Sequence, residues 1–371
     1  MILEKRLMRH KNSTMQVRRI CFFDDFQCIG ASCPANCCQG WKIPLDYSVY
    51  MKYLKEKGIF GAKLRYYTRR SEESAAFRSP LGRCPFWGGD RLCEIQKKHG
   101  AEYMPAVCVQ FPRQLYNLGS FCEETLYLAC PEAARLFLEH TKSGKPFGYV
   151  MAEAKVSYEP NTTNDDEIFL KYLVRSRDSL AGMLRKGMDF DSMAILDYGQ
   201  DAQNACLGGS ALPNPLDYKS DRRYTVDAKA VNKLFYGGFY HPNLRTVNHQ
   251  LYKLCRKYVR GFGVLCRINP QAADQKLLAM RRDIQRKIPN LGTILNRYYE
   301  YYLLTNFLDI YEDYSFRKHL VFGMVKANMV WLFLALYAAE KERVELEEIA
   351  KVIAIYERRA PQMKDALKKL D

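Results

Sequence analysis

Thirteen cysteines punctuate this 371-residue sequence, and ten of them fall between Cys21 and Cys130. The densest run reads Cys28-x4-Cys33-x3-Cys37-Cys38-x-Gly40-Trp41. It is followed by Cys84-Pro-Phe, Leu-Cys93-x-Ile, Cys108-x-x-Phe-Pro-Arg113 and Cys130-Pro-Glu. Thiolates are soft donors that select zinc, Cu(I) or iron–sulfur clusters over hard cations. Short loops between them let the chain wrap a small object without long loop closures, and Gly30 and Gly40 allow tight turns.

Eight cysteines form the candidate cage: Cys28, Cys33, Cys37, Cys38, Cys84, Cys93, Cys108 and Cys130. Zinc sites usually carry two C-x2–4-C pairs. Cys33 and Cys37 make one such pair, but the adjacent Cys37–Cys38 is unusual for a single tetrahedral ion. Four thiolates suffice for one [4Fe–4S] cluster, which is the metal group favoured here. Zinc is the alternative, and a module without metal the bland one. Eight thiols exceed the need of either single site, so some are structural or serve another ligand. Cys21, Cys122, Cys206, Cys255 and Cys266 read as buried small hydrophobes.

Other residues near the cage have weaker claims. Trp41 and Trp87 read as core side chains that could also shield a cluster from water. Arg113 either tunes the cage or is an exposed structural arginine. His99 is the lone histidine between Cys21 and Cys130 and reads as a solvated helix-end residue. The six histidines form no metal-type pair. Asp46 reads as a helix cap, with proton acceptor as the less favoured role.

The elements that must position these residues fall into two regions. Residues 1–20 read as a mobile or loosely docked start. From Cys21 to Cys130, Cys, Gly, Pro and aromatics suggest irregular loops with short elements. A helix is expected over Tyr47–Lys57, capped by Asp46 and ended by Gly58. Arg113–Ala129 suggests a hairpin, and Pro131 opens a helix that stops near Gly144. The polar stretch 153–166 is the expected boundary. It divides a Cys-rich module (1–152) from a mainly α-helical domain (167–371). Apolar residues three and four apart predict helices over Glu167–Leu184, Val226–Phe235, Val247–Val259, Pro270–Lys287, Leu291–Tyr311, Arg317–Ala339 and Leu346–Leu370. The segment 198–224 reads as a polar loop. The fold class expected is mainly α, with short β elements in the module.

The composition, 48% hydrophobic and 26% charged, is that of a globular chain. The charged N-terminus has no apolar core of a secretory signal. The longest apolar run, Met329–Ala339, falls short of the roughly 20 residues that span a bilayer. A cytoplasmic location and no stable membrane association are therefore expected. In a reducing compartment, clustered cysteines point to metal or chemistry over disulfides. The net charge of +16 is compatible with a polyanionic partner. However, Lys and Arg are spread out with no long basic arm, so nucleic acid is the least favoured partner.

The runs FQCIGASCPANCCQGWKIPLD, RCPFWGGDRLCEIQKKHGAE, VCVQFPR and LACPEAARL resemble the flagellin lysine-N-methylase family over about residues 21–145. A broader group of zinc- or iron-chelating cysteine-cluster proteins shares some of these elements. The resemblance implies methyl transfer from S-adenosylmethionine to lysine ε-amines of flagellin in the cytoplasm, and an iron–sulfur cluster on the cysteines. The eight cage cysteines match the family's cysteines, and Gly40, Trp41, Asp46, Pro112 and Arg113 match its other motif residues. No C-x3-C-x2-C motif of radical S-adenosylmethionine chemistry is present, and no glycine-rich nucleotide loop is apparent. Three readings follow: a lysine methyltransferase, a non-enzymatic zinc- or iron-binding or redox-sensing protein, and, weakest, a zinc-dependent nucleic-acid binder.

Overall fold

The computed structural model describes residues 13–41, 43–71, 74–118, 121–156, 167–236 and 249–358. In chain order these residues form β1 (Ser13–Ile20), β2 (Pro44–Leu45), α1 (Tyr47–Lys55), α2 (Gly58–Tyr67), β3 (Thr68–Arg70), β4 (Ala75–Phe77), α3 (Glu94–His99), α4 (Ala106–Gln110), β5 (Arg113–Asn117), β6 (Cys122–Leu126), α5 (Pro131–Ser143) and β7 (Tyr149–Val156). Then come α6 (Glu167–Arg185), α7 (Met193–Gly208), α8 (Ala228–Leu234), α9 (His249–Tyr258), α10 (Val264–Ile268), α11 (Pro270–Lys287), α12 (Leu291–Asn306), α13 (Phe316–Ala338) and α14 (Leu346–Glu357). The fold is mainly α, as expected.

Four strands make one sheet in the order β5-β6-β1-β7. β5 and β6 are the expected hairpin, with Arg113 opposite Leu126 and Asn117 opposite Cys122. β1 lies inside the sheet. It runs parallel to β6 and antiparallel to β7, with Ser13 opposite Val156 and Ile20 opposite Tyr149. The expectation of a mobile start therefore fails for residues 13–20. Val17 and Ile20 are buried, and the charges between them are matched across the sheet. Arg19 donates to Glu124 at 2.7 Å, and Arg18 lies 3.7 Å from Glu123. Residues 153–156 of the expected linker belong to β7, while 1–12 and 157–166 lie outside the described residues. A second sheet, β2-β4-β3, is short and belongs to the cysteine module.

Local rules account for the helix ends. Pro131 opens α5, and Gly144, in the left-handed conformation at φ 68°, closes it. The Asn269 side chain accepts from the Ala272 amide at 3.0 Å and starts α11. Glu345 and Glu348 form a reciprocal capping box at α14. The expected helix at Tyr47–Lys57 ends at Lys55, and Gly58, at φ +72°, begins α2, which the periodicity did not single out. Residues 198–208 of the expected loop are helical because Tyr198, Ala202 and Ala205 bury one face of α7. The expected Leu291–Tyr311 helix breaks at Asn306 into a 3₁₀ turn, Phe307–Glu312. The expected last helix is seen to Glu357, its remainder from 359 lying outside the described residues.

The largest buried cluster runs from Ile20 to Tyr356 and includes α5 together with the later helices. A cut between 152 and 167 would pass through it. A smaller cluster, from Ile43 to Cys108, is the core of the cysteine module. α13 is central: it packs against α7, α11, α12 and α14. It is long and apolar enough to cross a bilayer, yet 89% of its most apolar stretch is buried inside the fold. Where α13 meets α12, Gly323 abuts the rings of Tyr299 and Tyr302, and a Cβ there would run into both. Gly323→Ala should gain helix propensity but overpack this contact. A net loss of about 1–3 kcal/mol is expected, read as a lower urea midpoint with an unchanged slope.

Candidate metal centre

The cage is built from four stretches of chain held together by backbone bonds. The loop 28–38 contains a 3₁₀ turn at Gly30–Ser32. Trp41 donates from Nε1 to the Cys37 carbonyl at 2.7 Å and stands edge-on to Phe111, ring centres 4.7 Å apart. Trp41 therefore clasps this loop as well as filling space. The Cys84 amide donates to the Cys38 carbonyl at 2.8 Å. A reversal then returns the chain, with Trp87 paired to Cys93 and the Glu94 amide bonded to the Phe86 carbonyl at 2.8 Å. Cys93 thus sits at the start of α3. Trp87 packs beside this core and carries the Arg83 guanidinium 4.3 Å above its ring.

Cys108 lies in α4, and here Asp46 acts differently from expectation. It occupies the first position before α1, where its carbonyl accepts from the Tyr50 amide at 2.9 Å but its side chain makes no bond to that helix. Its carboxylate instead accepts from the Ala106 amide at 2.6 Å, the opening turn of α4. Pro105 precedes α4 and has no side-chain acceptor, so Asp46 supplies one from 60 residues away. Arg113 is a structural staple: it donates to the Phe26 carbonyl at 3.2 Å and lies over the Phe26 ring at 4.9 Å. His99 is packed where a solvated residue was expected. It stacks on Tyr103 with ring centres 4.4 Å apart, and its Nε2 lies 3.2 Å from the Glu56 carboxylate.

All thirteen cysteines are free thiols. Cys33, Cys84 and Cys130 are buried, Cys28 is exposed, and Cys37, Cys38, Cys93 and Cys108 are half-buried. Burial pushes the Cys84 and Cys130 thiols up to about 12 and raises Cys33, Cys93 and Cys108 as well. The neighbouring pair splits. The Cys38 thiol donates to Cys37, which holds Cys37 down at about 7 with help from Arg358, and Cys38 is raised by the same bond. Outside the cage, Cys122, Cys255 and Cys266 are buried as expected, while Cys21 and Cys206 pack half-buried against the large core.

Sequence reasoning missed one residue of this centre. Arg358, which follows α14, donates from Nη1 to the Asn36 carbonyl at 2.9 Å, from Nε to the Ala129 carbonyl at 3.1 Å, and from Nη2 to the Ala35 carbonyl. Its head group is enclosed, and among the described residues no carboxylate pairs with it. The groups that act on it most strongly are the Cys37, Cys33 and Cys130 thiols. More than 220 residues of sequence separate it from Ala129, and nothing in its neighbourhood signals a cage residue.

The donor set suits a soft metal by its chemistry, with eight thiols on short loops and a buried cation beside three of them. Among the described residues, no three Cys, His, Asp or Glu side chains converge closely enough to hold an ion as they stand. Closing on a metal thus requires thiols to turn and lose protons. Elsewhere, a cleft of about 500 Å³ lies between α6 and the segment before α8. Of its five charged lining residues, Asp189 and Arg223 already pair at 2.5 Å.

Over 124 residues, 32% of its length, the chain is 34% identical to the flagellar biosynthetic protein FliU of Salmonella muenchen, and the match takes in 73% of that protein. The chain belongs to the FliU family. The FliU-like portion is also 34% identical over 124 residues to proteins named lysine-N-methylase from Salmonella choleraesuis and Salmonella typhimurium, covering 31% of each. The chain thus matches about a third of those two relatives. No family model matches this FliU relative, and no solved structure does either.

Proposed function

We propose that this protein is a cytoplasmic lysine N-methyltransferase that acts on flagellin, takes its methyl group from S-adenosylmethionine, and carries an iron–sulfur cluster on its cysteine module. The observation that carries this reading is the similarity to relatives named lysine-N-methylase and to a flagellar biosynthetic protein. The cysteine-bearing loops supply the soft donors that an iron–sulfur cluster uses.

The reaction needs no redox step. A neutral lysine amine attacks the sulfonium methyl, the new N–C bond forms as the S–C bond breaks, and the amine proton passes to a base or water. S-adenosylhomocysteine leaves. An unperturbed lysine loses its proton near pH 10.4, so the site must desolvate the amine, accept its proton and align the methyl group in line. The cluster would then organise the module.

The test is transfer of labelled methyl from S-adenosylmethionine to flagellin of the same organism, using protein purified without oxygen and replete in iron and sulfide. Label on flagellin lysines is the expected result, and no transfer from a cluster-replete preparation overturns it. A second reading, a metal-binding or redox-sensing protein with no transferase activity, is favoured by one observation: the match covers most of FliU but under a third of the lysine-N-methylases. That reading expects metal uptake without S-adenosylmethionine binding in calorimetry.

A further inference from the structure

We propose that the eight cysteines form two separate four-thiol metal sites: Cys28, Cys33, Cys37 and Cys130 beside the Arg358 guanidinium, and Cys38, Cys84, Cys93 and Cys108 within the small apolar core. This rests on the reading of the module as metal-binding and deepens it by dividing the ligands.

Packing makes the first division. Cys84 is part of the small core around Phe86 and Tyr53, and Cys38, Cys93 and Cys108 pack half-buried against it. Cys130 belongs to the large core and opens α5. Hydrogen bonds make the second. The Cys84 amide is tied to the Cys38 carbonyl, and the turn through Trp87 brings Cys93 back beside Cys84. Arg358 bridges the Ala35 and Asn36 carbonyls to that of Ala129, which draws the 33–37 loop against Cys130. Arg91 fastens the same loop by donating to the Cys33 carbonyl at 2.6 Å.

Charge follows the division for every thiol except Cys37, which acts on members of both sets. Cys130 senses Cys33 and Cys37, and Cys33 senses Cys37 and Cys28. Cys38 and Cys108 each sense Cys37 first, and then Cys84 and Cys93. Cys37 is the seam: it touches Cys38 and reaches the small-core thiols too. Arg358 places it, because that side chain ties the Ala35 and Asn36 carbonyls, just before Cys37, to the Ala129 carbonyl, just before Cys130. A metal held by four thiolates is a net anion, and an enclosed arginine with only carbonyl partners lacks one. The two sites therefore differ in kind, one with a cation at its side and one lined by aromatic rings.

The test titrates reduced, metal-free full-length protein with Co²⁺ under argon and follows the visible bands of tetrahedral cobalt thiolates. The wild type should bind two equivalents. Cys33→Ser and Cys130→Ser should each remove one equivalent, Cys84→Ser and Cys93→Ser the other, and Cys130→Ser combined with Cys84→Ser should remove both. Arg358→Gln, which keeps every cysteine, should weaken one equivalent by about 10–100-fold and leave the second unchanged. It serves as the deciding variant if the serine variants do not fold. One equivalent in the wild type, loss of the same equivalent from both cysteine sets, or equal weakening of both by Arg358→Gln overturns the division. A wild type that takes up no cobalt, zinc or iron instead refutes the metal reading itself.

Discussion

Glu123→Leu is expected to destabilise the protein by about 3–5 kcal/mol, the cost of leaving one partner of a buried ion pair behind. Glu123 sits in β6 and is 2% exposed, and Arg177 in α6 is fully buried. Arg177 grips the carboxylate with both nitrogens, at 2.7 and 2.8 Å, and also donates to the Leu304 carbonyl at 3.2 Å. Tyr149 of β7 lies under the guanidinium, 5.2 Å away, and donates to that same carbonyl at 3.0 Å. The pair therefore bolts the sheet to α6 and to the end of α12. Deleting the carboxylate strands a cation where water cannot reach it. Replacing both residues together with apolar side chains of similar volume should recover most of the loss, since buried pairs are costly to assemble. Urea denaturation of the two single variants and the double variant reads this directly. A single variant within 1 kcal/mol of wild type would refute it.

Glu357→Ala should cost a similar amount, about 3–5 kcal/mol, and should reach the cage as well. Both carboxylate oxygens of Glu357 face Lys326, at 3.1 and 3.2 Å. The Tyr298 hydroxyl donates to one of them, and the Tyr127 hydroxyl donates to the Glu357 backbone carbonyl at 2.6 Å. All of this is enclosed: Lys326 is 8% exposed and Glu357 3%. The next residue is Arg358. Losing Glu357 leaves Lys326 without its counter-charge and frees the end of α14 that aims Arg358 at the 33–37 loop. Glu357→Ala should therefore weaken metal uptake, whereas Glu123→Leu should weaken only stability, with both compared at a temperature where each variant remains folded by circular dichroism. Equal metal uptake by Glu357→Ala and wild type would separate α14 from the cage.

The helical half was legible because its residues obey a single period. The helix expected over Pro270–Lys287 has those same bounds in the structure, where the Asn269 side chain caps it. The cysteines mark a candidate cage by type and spacing, while among the described residues no three Cys, His, Asp or Glu side chains converge on one point. What the sequence hid is what depends on distant partners. β1 carries Arg18 and Arg19, which read as solvated charge until Glu123 and Glu124 are brought opposite them. α7 is rich in Asp, Asn and Gly, and its helical face shows only once Ala202 and Ala205 are buried. Asp46 reads as a cap for the adjacent helix, while the amide its carboxylate accepts from is that of Ala106. Arg358 obeys no local pattern, because its three acceptors are backbone carbonyls, which have no sequence signature.

The position of β1 between β6 and β7 also sets an order of assembly. β1 is made first, but Arg19 meets Glu124 only 105 residues later, and Gln16 meets Glu153 after 137. During synthesis the strand must wait while most of the cysteine module is laid down between it and its neighbours. Such distant pairings form slowly, because the intervening chain must be ordered before they are rewarded. The thiols up to Cys108 thus leave the ribosome before the sheet that frames them can close, and Arg358 arrives after every other part of the cage. If the module takes a metal as proposed, the natural interval for loading it is this one, with the loops made and the final arginine not yet in place.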